Sequence, residues 1–531
     1  MRHFSLLACF LILTASPLAQ VTYQDLLQAE ENPGNWLTYS GSYKSQRYSS
    51  LDQINRKNVN KLKLKWAFQM KSFEKVEASP LVVDGIMYVS QPPSDVFALD
   101  VRTGRPFWAY ERDLPSPINA CCGLVNRGVA ILGDTIYLGT IDAHLVALDA
   151  KTGSVIWDVE VADYRAGYAI TAAPLVVNNK IIVGIAGGEF GIRGFLDAYD
   201  AKTGERSWRF HTVPGPDEPG NETWEGDSWK TGGAPTWLTG SFDPELNLIY
   251  WGTGNPSPDF NGEVRKGDNL YSDSVIAVDA DTGKLHWHFQ FTPHDVWDWD
   301  AVQIPILVDT KFQGRTRKLM LWPNRNAFYY VLDRVTGEFL LAKPFAKQTW
   351  NDGIDKNGRP LIKTEMFPSK EGTLVYPAVT GAMNWRSPSY SPITDLIYVP
   401  ALERGNIFFI SEVEPEYVPG NTFYGSLYQP MADDLGFSAV RALIPQTGEL
   451  KWEYKVHQGI ESGLLSTAGN VVFGGTDEGQ FFALDALTGE ELWRLGLGGR
   501  IIAAPVTYLN EQQQHITIAI GNTIFTFTLD N

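Results

Sequence analysis

The chain is patterned in short runs of alternating apolar and polar residues, and most of these runs lead to the same kind of turn. One example is Val96–Asp100, followed by the turn Thr103-Gly104 and a second run that carries Trp108. Alternation with a period of two predicts β-strands that have one buried face. Gly suits the positive φ of a tight hairpin, and Asp and Thr side chains cap such turns by hydrogen bonding.

This strand-turn-strand unit recurs along most of the chain. Its seven turns are Thr103-Gly104, Thr152-Gly153, Thr203-Gly204, Thr282-Gly283, Thr336-Gly337, Thr447-Gly448 and Thr488-Gly489. Trp follows the turn in six copies, and Leu341 takes its place in the fifth. Repeats of about 40–50 residues built from short strands are typical of β-propellers, in which the Trp would pack between neighbouring blades.

Two further features complete the predicted architecture. The 111 residues between Thr336 and Thr447 leave room for one blade without the turn signature, and we place its strands in Pro388–Pro400. Leu62–Phe68 and Thr523–Leu529 are predicted to share one blade, which would close the ring and remove free sheet edges. The expected fold is therefore an all-β, eight-bladed β-propeller.

Composition and charge narrow the class of protein. The chain has 531 residues, a net charge of −17 and a pI near 5.0, which disfavours nucleic acid as a partner. Met1–Ala19 combines a short positive start with an apolar run too short to span a membrane, as a secretory signal does. No other apolar run is long enough for a membrane span. We predict export to the periplasm, with residues 20–531 as a single domain.

Cys121 and Cys122 are adjacent, and they are the only cysteines left once the predicted signal, which contains Cys9, is removed. A bond between them would close a small ring across a single peptide bond. It would tie no distant segments together, so its contribution to stability would be minimal. The residues alone allow two interpretations: two small buried thiols, or a rigid plate against which a flat molecule lies.

Several oxygen-bearing side chains stand in unusual local contexts. Glu189 lies between glycines after an apolar strand, Asn255 precedes a proline, and Asp298 and Asp300 alternate with Trp297 and Trp299. Taken singly, a turn glutamate and an Asn-Pro turn are the simpler explanations of the first two. Taken together, these oxygen donors suit a hard cation such as calcium.

Three other residues are candidates for ligand contacts. Arg127 and Arg325 have the planar guanidinium that grips carboxylates in pairs of hydrogen bonds. Trp237 lies outside the repeated Trp positions, so packing between blades explains it less well. The sequence contains neither a Gly-x-Ser-x-Gly elbow nor a dinucleotide fingerprint after a strand, and no Cys-x-x-Cys-His motif for covalent haem.

Together with the Trp repeats, four motifs in this order resemble the methanol/ethanol family of quinoprotein dehydrogenases: Cys121-Cys122-x-x-Val125-Asn126-Arg127, Gly187-Gly188-Glu189, Gly252-Thr253-Gly254-Asn255-Pro256 and Trp297-Asp298-Trp299-Asp300. The resemblance covers nearly the whole mature chain. It implies an eight-bladed propeller with pyrroloquinoline quinone (PQQ) on its axis. The implied reaction oxidises a primary alcohol to the aldehyde by metal-assisted hydride transfer, and a separate cytochrome c accepts the electrons.

The resemblance also implies a role for each site residue. A disulfide between Cys121 and Cys122 would cover one face of the quinone and Trp237 the other, and Asp298 would be the catalytic base. The implied ligands of a Ca²⁺ or lanthanide ion are Glu189, Asn255, Asp298 and Asp300, the last being typical of lanthanide-favouring members. The remaining implied cofactor contacts are Glu77, Arg127, Thr171, Gly187, Gly188 and Arg325.

Two departures from the family pattern concern the outer cofactor contacts. Glu461-Ser462-Gly463 stands where a Trp often precedes the Ser-Thr-Ala-Gly stretch, and Pro400–Glu403 lacks a common Asn. A sugar or polyol dehydrogenase of the same fold and a non-catalytic scaffold propeller are the alternatives. A scaffold would have no use for the cysteine pair together with the acids. The sequence leaves the substrate, the metal and the oligomeric state open, a homodimer included.

Overall fold

Eight sheets, each with four antiparallel strands, follow one another in the computed structural model, which describes residues 20–431, 436–457 and 459–530. The predicted signal Met1–Ala19 lies outside the described residues. Among the helices of the described part, none is both long and apolar enough to cross a membrane. The prediction of an all-β, propeller-type fold is confirmed.

We number the sheets 1 to 8 along the chain. Sheet 1 consists of Leu81–Val83, Ile86–Gln91, Asp95–Asp100 and Pro106–Tyr110, and sheet 2 of Val129–Leu132, Thr135–Gly139, His144–Asp149 and Val155–Glu160. Sheet 3 consists of Leu175–Val177, Lys180–Gly184, Phe195–Asp200 and Arg206–His211, and sheet 4 of Ser241–Asp243, Leu248–Gly252, Ser274–Asp279 and Leu285–Gln290. Sheet 5 consists of Ile306–Phe312, Arg315–Pro323, Phe328–Asp333 and Phe339–Pro344, and sheet 6 of Ser389–Ser391, Leu396–Glu403, Phe437–Leu443 and Leu450–Val456. Sheet 7 consists of Leu465–Thr467, Val471–Gly475, Gln480–Asp485 and Glu491–Gly496, and sheet 8 of Val506–Asn510, Gln513–Ile520, Thr523–Leu529 and Leu62–Gln69.

The other elements are short. They are the α-helix Tyr23–Leu27, the strand Tyr48–Ser49 at the inner edge of sheet 7, the hairpin Asn351–Ile354 and Pro360–Ile362, and the small sheet Thr373–Val375, Asn406–Phe408 and Tyr428–Pro430. Single 3₁₀ turns occur at Ala29–Glu31, Val59–Lys61, Tyr164–Ala166, Gly188–Phe190, Asn221–Thr223, Ser228–Thr231, Gly262–Val264 and Thr364–Met366.

Each repeated Trp joins its own sheet to the next one. The Trp108 indole of sheet 1 donates a hydrogen bond to the Ala150 carbonyl of sheet 2 at 3.0 Å, and its ring packs on Gly153 in the turn of sheet 2. The same indole-to-carbonyl bond is made by Trp66, Trp157, Trp208 and Trp452. The predicted packing of these side chains between neighbouring sheets is confirmed.

The ring is closed as predicted, but one unit was misplaced. Leu62–Gln69 pairs antiparallel with Thr523–Leu529 in sheet 8. The strands expected in Pro388–Pro400 do not form an additional blade, because they belong to sheet 6 together with the turn Thr447-Gly448. The long interval before that turn is filled by the small hairpin and the three-stranded sheet. A strand without the turn signature carries no mark of the sheet to which it belongs, which explains the error.

An N-terminal segment, residues 36–49, runs through the centre of the ring and bonds to its innermost strands. We call it the hub segment. Its backbone carbonyls at Tyr43, Lys44, Gln46 and Arg47 accept hydrogen bonds from sheets 4, 5, 6 and 7 in turn. The fully buried Arg47 side chain donates to the carbonyls of Leu464 and Pro505 before sheets 7 and 8. The hub segment therefore ties most of the ring together at its axis.

Because the strands are antiparallel, two kinds of connection lie at the same end of each sheet. These are the segment that enters the first strand and the loop between the second and third strands. The Thr-Gly turns lie at the opposite end of the strands. The predicted site residues all come from these two kinds of connection, as Thr171 and Glu189 do in sheet 3. The fold thus gathers residues distant in sequence at one end of the ring.

Gly153→Ala is expected to lower the free energy of unfolding by about 2–4 kcal/mol, because a Cβ at φ +74° is strained and would lie 2.6 Å from the Trp108 ring. Urea unfolding followed by Trp fluorescence measures the loss. Gly133→Ala is the control, since Gly133 has a φ of +61° but open space around the added methyl group. Equal losses in the two variants would contradict the role given to the Trp contact.

Candidate active site

One cavity of about 260 Å³ lies at the end of the ring where these connections meet. Of the thirteen predicted site residues, eleven line it: Glu77, Cys121, Cys122, Arg127, Thr171, Gly187, Glu189, Trp237, Asp298, Asp300 and Arg325. Gly188 and Asn255 lie just behind its wall, where a Cβ placed on Gly188 would be 3.2 Å from Asn255 Oδ1. The structure therefore brings together the whole set that the sequence motifs nominated.

Cys121 and Cys122 form a disulfide at one wall of the cavity. A carboxylate oxygen of Glu189 lies within 4.8 Å of both sulfur atoms. Because the sulfurs are bonded to each other, they are not thiolate ligands, and the contact instead shows that the Glu189 side chain faces the disulfide. The predicted bond between adjacent cysteines is confirmed.

Aromatic rings and a buried ion pair form another part of the wall. The Arg127 guanidinium carbon lies 4.9 Å from the centre of the Trp237 ring and 5.1 Å from that of Trp385. Arg127 Nη2 is 2.8 Å from Glu77 Oε2, and both side chains are about 95% buried. Arg127 Nε and Nη1 are buried without a hydrogen-bond partner among the residues that the structure describes. These two donors are available to an acceptor in the cavity.

A group of acids surrounds Arg325 in the same cavity. Arg325 Nη1 donates to Asp300 Oδ2, and its Nη2 donates to the Val379 carbonyl at 2.6 Å and lies 3.5 Å from Asp298 Oδ2. Arg325 Nε has no hydrogen-bond partner in the described part of the chain. Asp298 has a φ of +61°, a left-handed conformation that is costly for a residue with a side chain and that is found preferentially at functional sites.

Asp300 also organises the loop that carries Asn255. Its Oδ1 accepts a hydrogen bond from the Asn255 backbone N–H at 2.9 Å. A Cβ on Gly254 would lie only 2.2 Å from the same oxygen, so this approach requires Gly at position 254. The Gly-Thr-Gly-Asn-Pro motif is thereby explained as a loop that lets a buried carboxylate come close to the backbone.

The acids of this cavity favour a bound cation. Burial, together with the Asp300 carboxylate, raises the pKa of Glu189 to about 7, against the lowering effects of a backbone hydrogen bond and of Arg325. Burial also raises the pKa of Asp298 well above its usual range, against the lowering effect of Arg325. Three carboxylates therefore share one guanidinium in a poorly solvated place. A cation among them would favour their ionised forms, and oxygen donors are the ligands that hard ions prefer.

Sequence reasoning missed several residues of the cavity wall. Trp385 lies outside the Thr-Gly repeats, so the signal that selected Trp237 also applied to it. Asp259 follows Asn255 by four residues in the same loop and is buried close to the acids. Lys75, Asn384 and Tyr428 also line the cavity, and no motif marked them.

A long excursion from sheet 6, residues 404–431, covers part of the site. The Phe423 backbone N–H donates to the Glu189 carbonyl at 2.7 Å, and the Asn119 side chain donates to the Gly420 carbonyl at 3.3 Å. Tyr428 reaches the cavity itself. The excursion is thereby bonded both to the Glu189 backbone and to the loop that leads to Cys121.

Comparisons with known proteins agree with this geometry. Residues 36–343 match the model of the PQQ-type glucose/ethanol/alcohol dehydrogenase β-propeller domain, and residues 436–528 match that of the outer membrane protein assembly factor BamB. The solved BamB of Moraxella catarrhalis is 14% identical with a TM-score of 0.51, which shows a shared fold alone.

The relatives that match nearly the whole chain, at higher identity, are alcohol dehydrogenases. The quinoprotein alcohol dehydrogenase PedH of Pseudomonas putida is 40% identical over 97% of this chain and 91% of its own. The lanthanide-dependent methanol dehydrogenase of Methylacidiphilum fumariolicum is 37% identical over 98% and 90%. A solved europium-containing methanol dehydrogenase is 34% identical with a TM-score of 0.90, over 95% of this chain and 100% of its own. The chain belongs to the PQQ-dependent quinoprotein alcohol dehydrogenases.

Proposed function

We propose that this chain oxidises a primary alcohol to the aldehyde in the periplasm and passes the electrons to a separate cytochrome c. The observation that carries the proposal is the single cavity in which the Cys121–Cys122 disulfide, the ring of Trp237 and the acids around Arg325 meet. A flat redox cofactor and a hard ion account for all three features at once. The specific roles of the residues below are part of the same proposal.

The residues present fit PQQ and a hard ion. The cofactor bears carboxylates, and the N–H groups of Arg127 and Arg325 that lack a partner among the described residues are suited to donate hydrogen bonds to them. Glu189, Asn255, Asp298 and Asp300 would hold the ion, Ca²⁺ or a lanthanide, through oxygen. Bound together, PQQ and the ion supply an electrophilic carbonyl that accepts hydride from the alcohol carbon.

Asp298 is the general base in this proposal. Arg325 approaches its Oδ2, so we assign the proton of the alcohol hydroxyl to Oδ1. Arg325 also restrains Asp298 and Asp300 relative to each other, which fixes the base beside the ion. The excursion at residues 404–431 would restrict the access of bulk water near Glu189, because it bonds to the Glu189 backbone and contributes Tyr428 to the wall.

The cellular setting follows from charge and from the N-terminal sequence. The predicted signal would direct the chain to the periplasm, where the vicinal disulfide is expected to persist. Since the sequence has no haem-attachment motif, a separate acceptor is needed, and a net charge of −17 would attract a basic cytochrome. We infer that the eight sheets are the eight blades of one propeller domain.

Reconstitution tests the proposed reaction. Protein stripped with a chelator, then supplied with PQQ and either Ca²⁺ or La³⁺, is expected to reduce a phenazine dye when a primary alcohol is added. Glucose and polyols, tested in parallel, are expected to be poor substrates. Faster turnover of glucose than of every primary alcohol would favour the sugar dehydrogenase. Neither PQQ binding nor dye reduction with any substrate would favour the scaffold.

Asp298→Asn is expected to lower kcat by about 10²–10⁴-fold, because the amide cannot take the hydroxyl proton. Dye reduction at saturating alcohol measures kcat, and PQQ absorbance after gel filtration reports cofactor occupancy. Asp227→Asn is the control, since its side chain is 78% exposed and pairs only with Lys230 in the described structure. A kcat within about threefold of the wild type at full occupancy would exclude Asp298 as the base.

A further inference from the structure

Asp259 is a buried carboxylate that the proposed mechanism does not use. It is 1% exposed, and neither of its carboxylate oxygens has a hydrogen-bond partner among the described residues. An isolated buried carboxylate is costly to the folded state, since it loses hydration without compensation. The fold alone therefore does not explain why a carboxylate is buried at this position.

The surroundings of Asp259 are those of the metal site. Burial raises the pKa of Asp259 well above its usual range, and Glu189 and then Asp300 raise it further. Asp259 in turn acts on Asp298, and the Asn255 side chain lies beside it. Its carboxylate therefore lies next to Asn255 and within electrostatic reach of the three acids that the proposal assigns to the ion.

The nearest buried cation does not neutralise Asp259. The Arg265 guanidinium donates to the carbonyls of Pro258, Asp259 and Asp295 and to the side chain of Asn269, so its hydrogen bonds do not reach the Asp259 carboxylate. Burial lowers the pKa of Arg265 to about 10, and Asp295 and Asp273 oppose that effect more strongly than Asp259 does. The charge of Arg265 is therefore shared with two other acids.

Formal charge distinguishes a site with Asp259 from a site without it. Glu189, Asp259, Asp298 and Asp300 carry four negative charges when ionised, and Arg325 carries one positive charge. The protein side chains then sum to −3, whereas without Asp259 they sum to −2. More negative charge around the ion favours a higher cation charge.

We propose that Asp259 is an additional acid of the metal site and that its charge biases the site towards trivalent over divalent ions. The inference rests on the proposed function, because it takes the ion to lie among Glu189, Asn255, Asp298 and Asp300. Asp259 acts on the ion by charge and by its contact with Asn255, and it has no part in proton transfer. It is a residue that determines metal specificity.

The test compares metal binding by the wild type and Asp259→Asn, both supplied with PQQ. Tb³⁺ is titrated and followed by its Trp-sensitised luminescence, and Ca²⁺ affinity is obtained by competition. The substitution is expected to weaken Tb³⁺ binding by about 10–100-fold and Ca²⁺ binding much less. Asp259→Glu, which keeps the charge, is expected to retain most of the wild-type preference for Tb³⁺.

A stability measurement separates this role from a structural one. The metal-free Asp259→Asn protein is expected to have a thermal midpoint equal to or above that of the wild type, since an uncompensated buried acid has been removed. A lower midpoint with an unchanged ratio of Tb³⁺ to Ca²⁺ affinity would make Asp259 a structural residue and overturn the proposal.

Asp273→Asn is the matched control. Asp273 is equally buried, and its carboxylate oxygens also lack a hydrogen-bond partner among the described residues. After burial, however, the strongest influence on its pKa is Asp295, which the proposal does not assign to the ion, and Asp300 comes second. A smaller change in the affinity ratio than for Asp259→Asn is expected. An equal change would assign the preference to diffuse charge and overturn the specific role of Asp259.

The outcomes also separate this inference from the proposed function. If the wild type reduces dye with alcohol while Asp259→Asn leaves metal preference unchanged, the inference fails and the function stands. If the wild type binds no PQQ with either ion, the proposed function itself fails.

Discussion

The structure depends on an imbalance of buried charge at one end of the ring of sheets. Asp298, Asp300 and Glu189 face a single guanidinium, that of Arg325. In a poorly solvated interior such an excess of carboxylate opposes folding, and it persists only where something offsets it. A hard cation offsets it directly. The same cation would bind these acids as its ligands. The residues that destabilise the metal-free fold are therefore the residues that the proposed chemistry requires.

The ring of sheets supplies the rigidity that this imbalance requires. Four of the six repeated Trp side chains hydrogen-bond to a carbonyl of the next sheet, and the hub segment bonds to the innermost strands near the axis. Repulsion between the acids is therefore resisted by a closed framework, which keeps Asp298 in its left-handed conformation. Since each sheet presents its site loops at the same edge, residues more than two hundred positions apart, such as Glu77 and Arg325, line one cavity.

The sequence predicted the architecture wherever a local signature existed. Thr-Gly turns marked sheets 1 to 7, six of them with a following Trp, and the pairing of Leu62–Phe68 with the last strand followed from the need to close the ring. Strands without a turn signature were misassigned, because Pro388–Pro400 belongs to the same sheet as Thr447-Gly448. Only tertiary pairing decides which strands share a sheet.

The site shows the same division between local and tertiary information. The four family motifs contain seven of the eleven predicted cavity residues, because each motif is contiguous in the chain, whereas Glu77, Thr171, Trp237 and Arg325 were nominated outside them. Asp259 and Trp385 were missed although both lie near predicted residues in space. The burial of Asp259 among other carboxylates depends on loops of sheets 3, 4 and 5 meeting, and no single stretch of sequence encodes that encounter.

The most direct test of this account is the binding of PQQ to chelator-treated protein, followed by quenching of Trp fluorescence with and without added La³⁺. The account predicts saturable binding of one PQQ per chain that is strongly promoted by the ion, since the ion offsets the charge of the acids facing Arg325. Binding that is equally tight in the presence of chelator, or no saturable binding under either condition, would contradict it.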